Sequence, residues 1–488
     1  MMVKGKGPVN LFDMVWSVLL VLAVILTLMI LAPEKMYHWF LIPVGGCGIL
    51  ILPDAIRWLR REYDTFDPKG IIGLLGVHFF LLAPLLFVFL DLEMLYVSNP
   101  VDWRLWIGYA ALLNFWGLLI YQLFAGMSQG PSSQKKLWTL EPWRFWLFTA
   151  LFMLVAGACQ LFFLANVGGV AGLIEETTAR SGVFVGNGWL VMFGESLPIL
   201  FFFAATYLHQ KKWLKASPLI IILILLFFIV FQFFLAGLRG SRCTTIYAVF
   251  WATGIIHYLW RPIRPRQIMI SLIPVFIFMV LYGFYKDLGI RVLDLASGEV
   301  SYHEIQSEAP DRGVLPTLFI DFSRVDAQAY LVYKLSGPEG YQPAYGRTYL
   351  GDLSILIPRS LWPDRPPTKV KEGTEILYGP VAYQPNSFES SYVYGLMGES
   401  LLNYHFVGVP IAFGVWGFLV SRVRYWLRNL PPGDARRLLA PLLVLTVVTI
   451  LSSDLDNITF NLIKNGFVPF LVVVLGSVNH SKRVEVSE

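Results

Sequence analysis

Long apolar runs separated by short polar stretches dominate the chain. They fall near 11–32, 36–55, 70–90, 105–126, 143–166, 188–208, 217–237, 243–260, 268–285, 403–421, 438–453 and 459–478. Each holds about 16–24 residues, enough to cross roughly 30 Å of hydrocarbon as an α-helix at about 1.5 Å per residue. The pattern predicts an all-α polytopic membrane protein with about 12 transmembrane helices, because helices close their own backbone hydrogen bonds inside the bilayer. The second, eleventh and twelfth runs are the shortest and most polar. The first is too long for a signal-peptide core and lacks a small-residue cleavage site, so it reads as a retained helix.

Composition agrees with that pattern. Of 488 residues, 56% are hydrophobic and only 15% are charged, a balance that excludes a soluble chain of this size. Cys47, Cys159 and Cys243 all fall in or beside apolar runs. They offer neither a disulfide framework nor a zinc spacing.

Charge sets the expected orientation. With a cytoplasmic amino terminus, the inner segments carry Lys4, Lys6, Arg57, Arg60, Arg61, Lys69, Lys135, Lys136, Arg144, Lys211, Lys212 and Lys215. Arg261, Arg264, Arg266, Arg422, Arg424, Arg428, Arg436, Arg437, Lys482 and Arg483 complete the inner set. The short outer loops hold only Lys35, Arg104, Arg180, Arg239 and Arg242. This asymmetry predicts a multi-pass protein of the bacterial inner membrane with both termini cytoplasmic. No nucleic-acid partner is expected.

The segment at 286–402 is the one long polar stretch, and the same topology places it outside, as a periplasmic loop. The chain thus divides into helices one to nine at 1–285, this loop at 286–402, and helices ten to twelve with a tail at 403–488. Apolar and aromatic residues recur through the loop, as in Leu315–Ile320 and Tyr349–Ile357, which argues against a disordered linker. Short helices lying against the membrane are expected there.

Arginines on the outer side are the candidate chemistry. Arg239 and Arg242 sit in Gly237-Leu-Arg-Gly-Ser-Arg242, a tight turn between two apolar helices. Guanidinium groups at that depth are costly unless they meet an anion, a carboxylate or lipid headgroups. Glycine permits close approach of a ligand, and the planar fork of Arg matches phosphate oxygens. Arg324, Arg347, Arg359 and Arg365 lie among aromatics in the long loop, a mixture suited to a ligand combining phosphate with sugar rings. Solvated loop charges are the alternative.

Several of these features occur in a telling order. Gly168-Gly169 with Arg180 and Gly186-Asn-Gly188 precede Arg239-Gly-Ser-Arg242. Ile357-Pro-Arg359-Ser-Leu-Trp-Pro and Gly398-Glu399-Ser-Leu-Leu-Asn403-Tyr-His405-Phe follow. Together they resemble the Wzy-type oligosaccharide repeat-unit polymerases of O-antigen and exopolysaccharide synthesis, over roughly 165–410. The resemblance implies a GT-C-like integral-membrane glycosyltransferase. Such an enzyme moves a growing glycan from undecaprenyl pyrophosphate to the far-end sugar of a second lipid-linked repeat unit. It also implies a flippase and a chain-length regulator as partners, and no cofactor.

In that reading Arg239, Arg242 and Arg359 would bind pyrophosphate, with Arg324, Arg347 and Arg180 next. Glu399 is the first candidate base, although its position would also suit a helix N-terminus. Asp454 is an alternative base. His405, six residues beyond Glu399 and about 9 Å along the same expected helix, is either a proton acceptor or packing. Asp454-Leu-Asp456 and Asp91-Leu-Glu93 could hold a metal elsewhere, but the pattern is short and common, and no metal is expected. Glu195 and Lys464 lie at similar depth in the outer third of their helices, either as an ion pair or lining a cavity. An O-antigen ligase would share the loop and its arginines. A flippase or other transporter of the same lipid would also need cations, but no internal repeat or broken helix pair supports it.

Overall fold

The computed structural model describes residues 10–92, 98–127, 136–178, 188–239, 241–309, 312–337, 341–357, 361–383 and 393–481. Among them, ten helices are long and apolar enough to cross a membrane. The first seven are Leu11–Leu31 (α1), Leu41–Leu59 (α2), Pro68–Phe89 (α3), Trp103–Ala125 (α4), Pro142–Asn166 (α5), Gly188–Gln210 (α6) and Pro218–Arg239 (α7). After the shorter Arg242–Ile255 (α8) comes Pro265–Leu288 (α9). The long polar segment contributes Val325–Ser336 (α10), Arg347–Ser354 (α11) and Lys369–Tyr378 (α12). Gly395–Asn429 (α13), the short Ala440–Thr449 (α14) and Leu455–Gly476 (α15) follow.

All twelve expected runs are helical, but the eleventh is shorter than the apolar run suggested. α8 passes into a π-helical turn at Ile256–Trp260. α14 ends at Thr449, where the chain turns back toward α15. The all-α architecture holds, with one short β pair beside it. Lys136–Leu140 (β1) and Ser477–Ser481 (β2) form an antiparallel pair, Lys136 opposite Ser481 and Leu140 opposite Ser477. They flank the apolar helices α5 and α15, and the requirement for helix holds only at hydrocarbon depth.

The chain forms two compact units. The first comprises Met1–Ser128, Val314–Arg424 and Thr446–Phe460; the second comprises Gln129–Gly313, Tyr425–Leu445 and Asn461–Glu488. The long polar segment is therefore divided between them.

In the first unit, α10 does not lie against a membrane surface. Val325 through Val332 are all buried, and α10 packs along α4, with Tyr333 edge-on to Trp106. Asn114 donates to Gln328 Oε1 at 3.2 Å, and Gln328 donates onward to the Tyr394 carbonyl at 3.1 Å. Asn114 lies eleven residues into α4, so α10 reaches about 16 Å along that helix. Just before it, the Leu318 carbonyl meets His78 Nε2 at 3.0 Å, where α3 carries a π-helical turn at His78–Leu82. Phe319, Val325 and Ala329 join one apolar core with Val21, Val44, Leu81 and Ala111 from α1 to α4. Polar backbone at this depth is tolerated because protein, not lipid, surrounds it.

Some expected loop cations are also buried in this unit. Arg57 and Lys69 are nearly inaccessible. Lys69 pairs with Asp54 at 3.5 Å, Arg424 with Asp67 at 2.7 Å and Arg60 with Asp13 at 2.6 Å. In the second unit, Phe145, Phe203, Trp251, Leu438 and Val472 belong to a separate apolar core.

Candidate functional site: two ionic clusters

The first cluster, in the second unit, is built on the turn between α7 and α8. Its carbonyls face inward: Gly237 accepts from the Tyr282 hydroxyl, and Leu238 accepts from Tyr285 at 2.8 Å and Thr177 at 3.3 Å. With the backbone held this way, Arg239 forms an ion pair with one oxygen of Glu195. The other Glu195 oxygen lies 2.8 Å from Lys464 Nζ, which also donates to Thr244 Oγ1 at 2.9 Å. Glu195 and Lys464 are thus the expected ion pair, and Arg239 is a third member that spacing did not indicate. The trio itself carries one net positive charge. Arg242 reaches the C-terminal part of α9, its Nη1 3.8 Å from where a Cβ on Gly283 would stand, and Arg312 packs on the same glycine. Arg312 pairs with Asp287 at 2.5 Å.

The second cluster, in the first unit, joins α11, α12, α13 and the start of α15. Asp454 accepts backbone N–H groups from Tyr394 at 3.0 Å and Gly395 at 2.7 Å, and forms a buried ion pair with Lys369. Glu399 is also buried, and its Oε2 accepts the Leu455 N–H at 2.7 Å. The carboxylate therefore satisfies the first turn of α15 rather than the first turn of its own helix. Asp352 from α11 approaches the Glu399 carboxyl and takes the Lys369 N–H at 3.3 Å. Burial, the largest influence, lifts the Asp352 carboxyl to about 7. Burial pulls Lys369 down, but Asp454 and Asp456 outweigh it and its ammonium is held above the usual lysine range.

α11 reaches this cluster because its entry turn grips α13. The Ala344 and Tyr345 N–H groups donate to the carbonyls of Leu402 and Asn403 at 3.0 and 2.8 Å. The Asn403 side chain accepts the Gly346 N–H at 3.1 Å and donates to Thr348 at 2.7 Å. Gly346 has φ +86°, and a Cβ there would stand 2.4 Å from the Tyr404 hydroxyl. α13 then breaks. Tyr404 and His405 leave helical geometry, and His405 adopts φ 56° and ψ −156°, a region that only glycine enters easily. Glu399 and His405 therefore do not share a continuous helix, which corrects the spacing expected between them. The His405 ring is half-buried and stands edge-on to Phe406, centroids 4.1 Å apart.

The remaining expected arginines have mixed fates. Arg324 donates to the carbonyls of Ser452, Asp321 and Ser323 at 3.1, 3.1 and 2.7 Å, tying two turns together. Arg347 pairs with Glu372, which also accepts the Tyr341 hydroxyl, yet 57% of the Arg347 side chain stays exposed. Arg180 and Arg359 lie outside the described residues. The structure thus brings Glu399 and Asp454 together in one unit with Arg324, Arg347 and His405, and holds Arg239 and Arg242 in the other. Among the described residues, no three His, Cys, Asp or Glu side chains converge as a metal site. Asp91 pairs instead with Lys35.

Sequence reasoning missed Asp352, Lys369 and Glu372. Lys369 and Glu372 sit in Lys369-Val-Lys-Glu372, which reads as a solvated charge run. Asp352 carries a weak signal: in the eight residues of α11, Leu350 and Leu353 are exposed while Thr348, Gly351 and Asp352 are buried. This is an inverted amphipathic pattern. Comparison of the chain with protein-family models, with curated proteins and with solved structures finds no match in any of the three.

Proposed function

We propose that this multi-pass membrane protein is a GT-C-like glycosyltransferase that polymerises undecaprenyl-pyrophosphate-linked repeat units on the outer face of the bacterial inner membrane. The observation that carries the reading is the Arg239–Glu195–Lys464 trio at a glycine-flanked turn. Its Arg239 can present a guanidinium to a pyrophosphate while Glu195 and Lys464 anchor it from within, and Arg242 follows three residues later. Pyrophosphate leaves readily once its charge is neutralised, and preorganised cations supply this without reorganisation at the moment of reaction.

The transfer is a single displacement. The acceptor hydroxyl oxygen bonds to the anomeric carbon of the donor as the carbon–oxygen bond to pyrophosphate breaks. The bonding pair departs with the pyrophosphate, and the anomeric configuration inverts. A base must take the hydroxyl proton. Of the three candidates, Glu399 and Asp454 are buried in contacts that hold helices together, whereas His405 is half-buried and its backbone is strained. Within the first unit His405 is the candidate for the proton, and Glu399 and Asp454 position its turn.

Glycan length in a deletion strain tests this, with complementation by wild type, Arg239→Ala, Arg242→Ala and His405→Ala. Single repeat units in the deletion, and failure of the variants to restore long chains, support polymerisation. Long polymer that accumulates on its lipid carrier overturns it in favour of a ligase. Repeat units trapped on the cytoplasmic side overturn it in favour of a flippase.

A further inference from the structure

We propose that Asp352 and Glu399 share one proton, and that this acid pair is a proton-dependent clamp that holds α11 on α13 and so positions the Tyr404–His405 turn. The proposal goes beyond the reaction above and stands whether or not His405 takes a proton from a sugar.

The geometry comes first. α11 meets residues 395–403 of α13 through two side-chain rungs, Thr348 with Asn403 and Asp352 with Glu399. Asp352 lies four residues after Thr348, and Glu399 four before Asn403, so the rungs are one helical turn apart on both helices. The first rung is an ordinary hydrogen bond of 2.7 Å. The second joins two carboxyl groups. Asp352 Oδ2 and Glu399 Oε1 are buried without an N–H or hydroxyl donor, while their sister oxygens take the Lys369 and Leu455 N–H groups. Two carboxylates facing one another away from water repel; one proton between them makes a charge-assisted hydrogen bond instead.

The surroundings favour keeping that proton. Asp454 and Asp456 add negative charge from the start of α15, and Tyr349 lies on α11 itself. Lys369, the nearby cation from α12, is engaged by Asp454, and Arg347 at the start of α11 is engaged by Glu372. Burial raises Asp352 most; the Glu399 hydrogen bond and the Lys369 N–H oppose it, while Asp456 and Asp454 add to it. The sign follows directly. Released from α13, Asp352 returns to the ordinary carboxylate range near 4, so docking takes up a proton. Docking is strongest at acid pH and weakens as pH rises toward about 7.

The test is hydrogen–deuterium exchange of the purified full-length protein in lipid nanodiscs between pH 4.5 and 8, corrected for intrinsic exchange. Peptides covering 347–354 and 395–405 should lose protection by about tenfold per pH unit through the middle of that range. Peptides from α4 should show no such slope. Asp352→Asn and Glu399→Gln replace the proton by an amide donor and should abolish the slope. A flat wild-type profile overturns the proposal without any variant, as does a slope that persists in both variants. Should one variant fail to fold, the wild-type profile and the other variant decide.

Discussion

Lys464 and Glu195 are held 2.8 Å apart with both side chains almost inaccessible, and Arg239 pairs with the second oxygen of the same carboxylate. Glu195 is therefore the shared anion between two cations drawn from α7 and α15. Removing one partner of a buried pair leaves an uncompensated charge and costs about 3–5 kcal/mol. Glu195→Ala strands both cations and should destabilise by that order. Lys464→Met leaves Glu195 paired with Arg239 and should cost less than half as much. Denaturant titration in detergent checks the ranking, and equal losses would show that the trio is not energetically shared.

The bend in α13 depends on a missing side chain. A Cβ on Gly408 would stand 2.5 Å from the Ser400 carbonyl oxygen and 2.9 Å from Tyr404 Cβ. Neither can move without opening the bend. Gly408→Ala should therefore destabilise by about 1–3 kcal/mol and should raise hydrogen exchange in 395–405. An unchanged exchange pattern would contradict the close packing.

His405 separates strain from chemistry. Its backbone geometry is one that glycine adopts without penalty, and holding another residue there costs about 1–3 kcal/mol. His405→Gly should raise the thermal unfolding midpoint while abolishing long glycan chains. His405→Ala keeps the strain and should lose the chains without the gain. A glycine variant that still makes long polymer would remove His405 from the reaction.

Orientation can be read by labelling. Val381 is 84% exposed and Trp213 78% exposed, and the positive-inside pattern places them on opposite sides of the membrane. With Cys47, Cys159 and Cys243 replaced by serine, Val381→Cys should react with a membrane-impermeant maleimide in spheroplasts. Trp213→Cys should react only after permeabilisation. The reverse result would invert the topology.

The helical architecture was legible in the sequence because hydropathy accumulates along a segment. A run such as 217–237 declares its helix without reference to any partner. The depth of Glu195 and Lys464 could be read in the same way, and depth alone suggested their pairing. The shortfall in span length at α14 occurs where a local turn cuts an apolar run that composition treats as uniform.

What only the tertiary structure decided is which charges meet. Arg57 and Lys69 count as loop cations in sequence yet are buried against acidic partners. α10 reads as a polar-loop helix yet is enclosed by α4 and its neighbours. Asp352 and Lys369 carry no motif, but they complete the environment of Glu399 and Asp454. The physical reason is that a carboxyl group takes its protonation from the field and solvent around it. That environment is assembled from segments remote in the chain, whereas the tendency of an apolar run to become a membrane helix resides in the run itself.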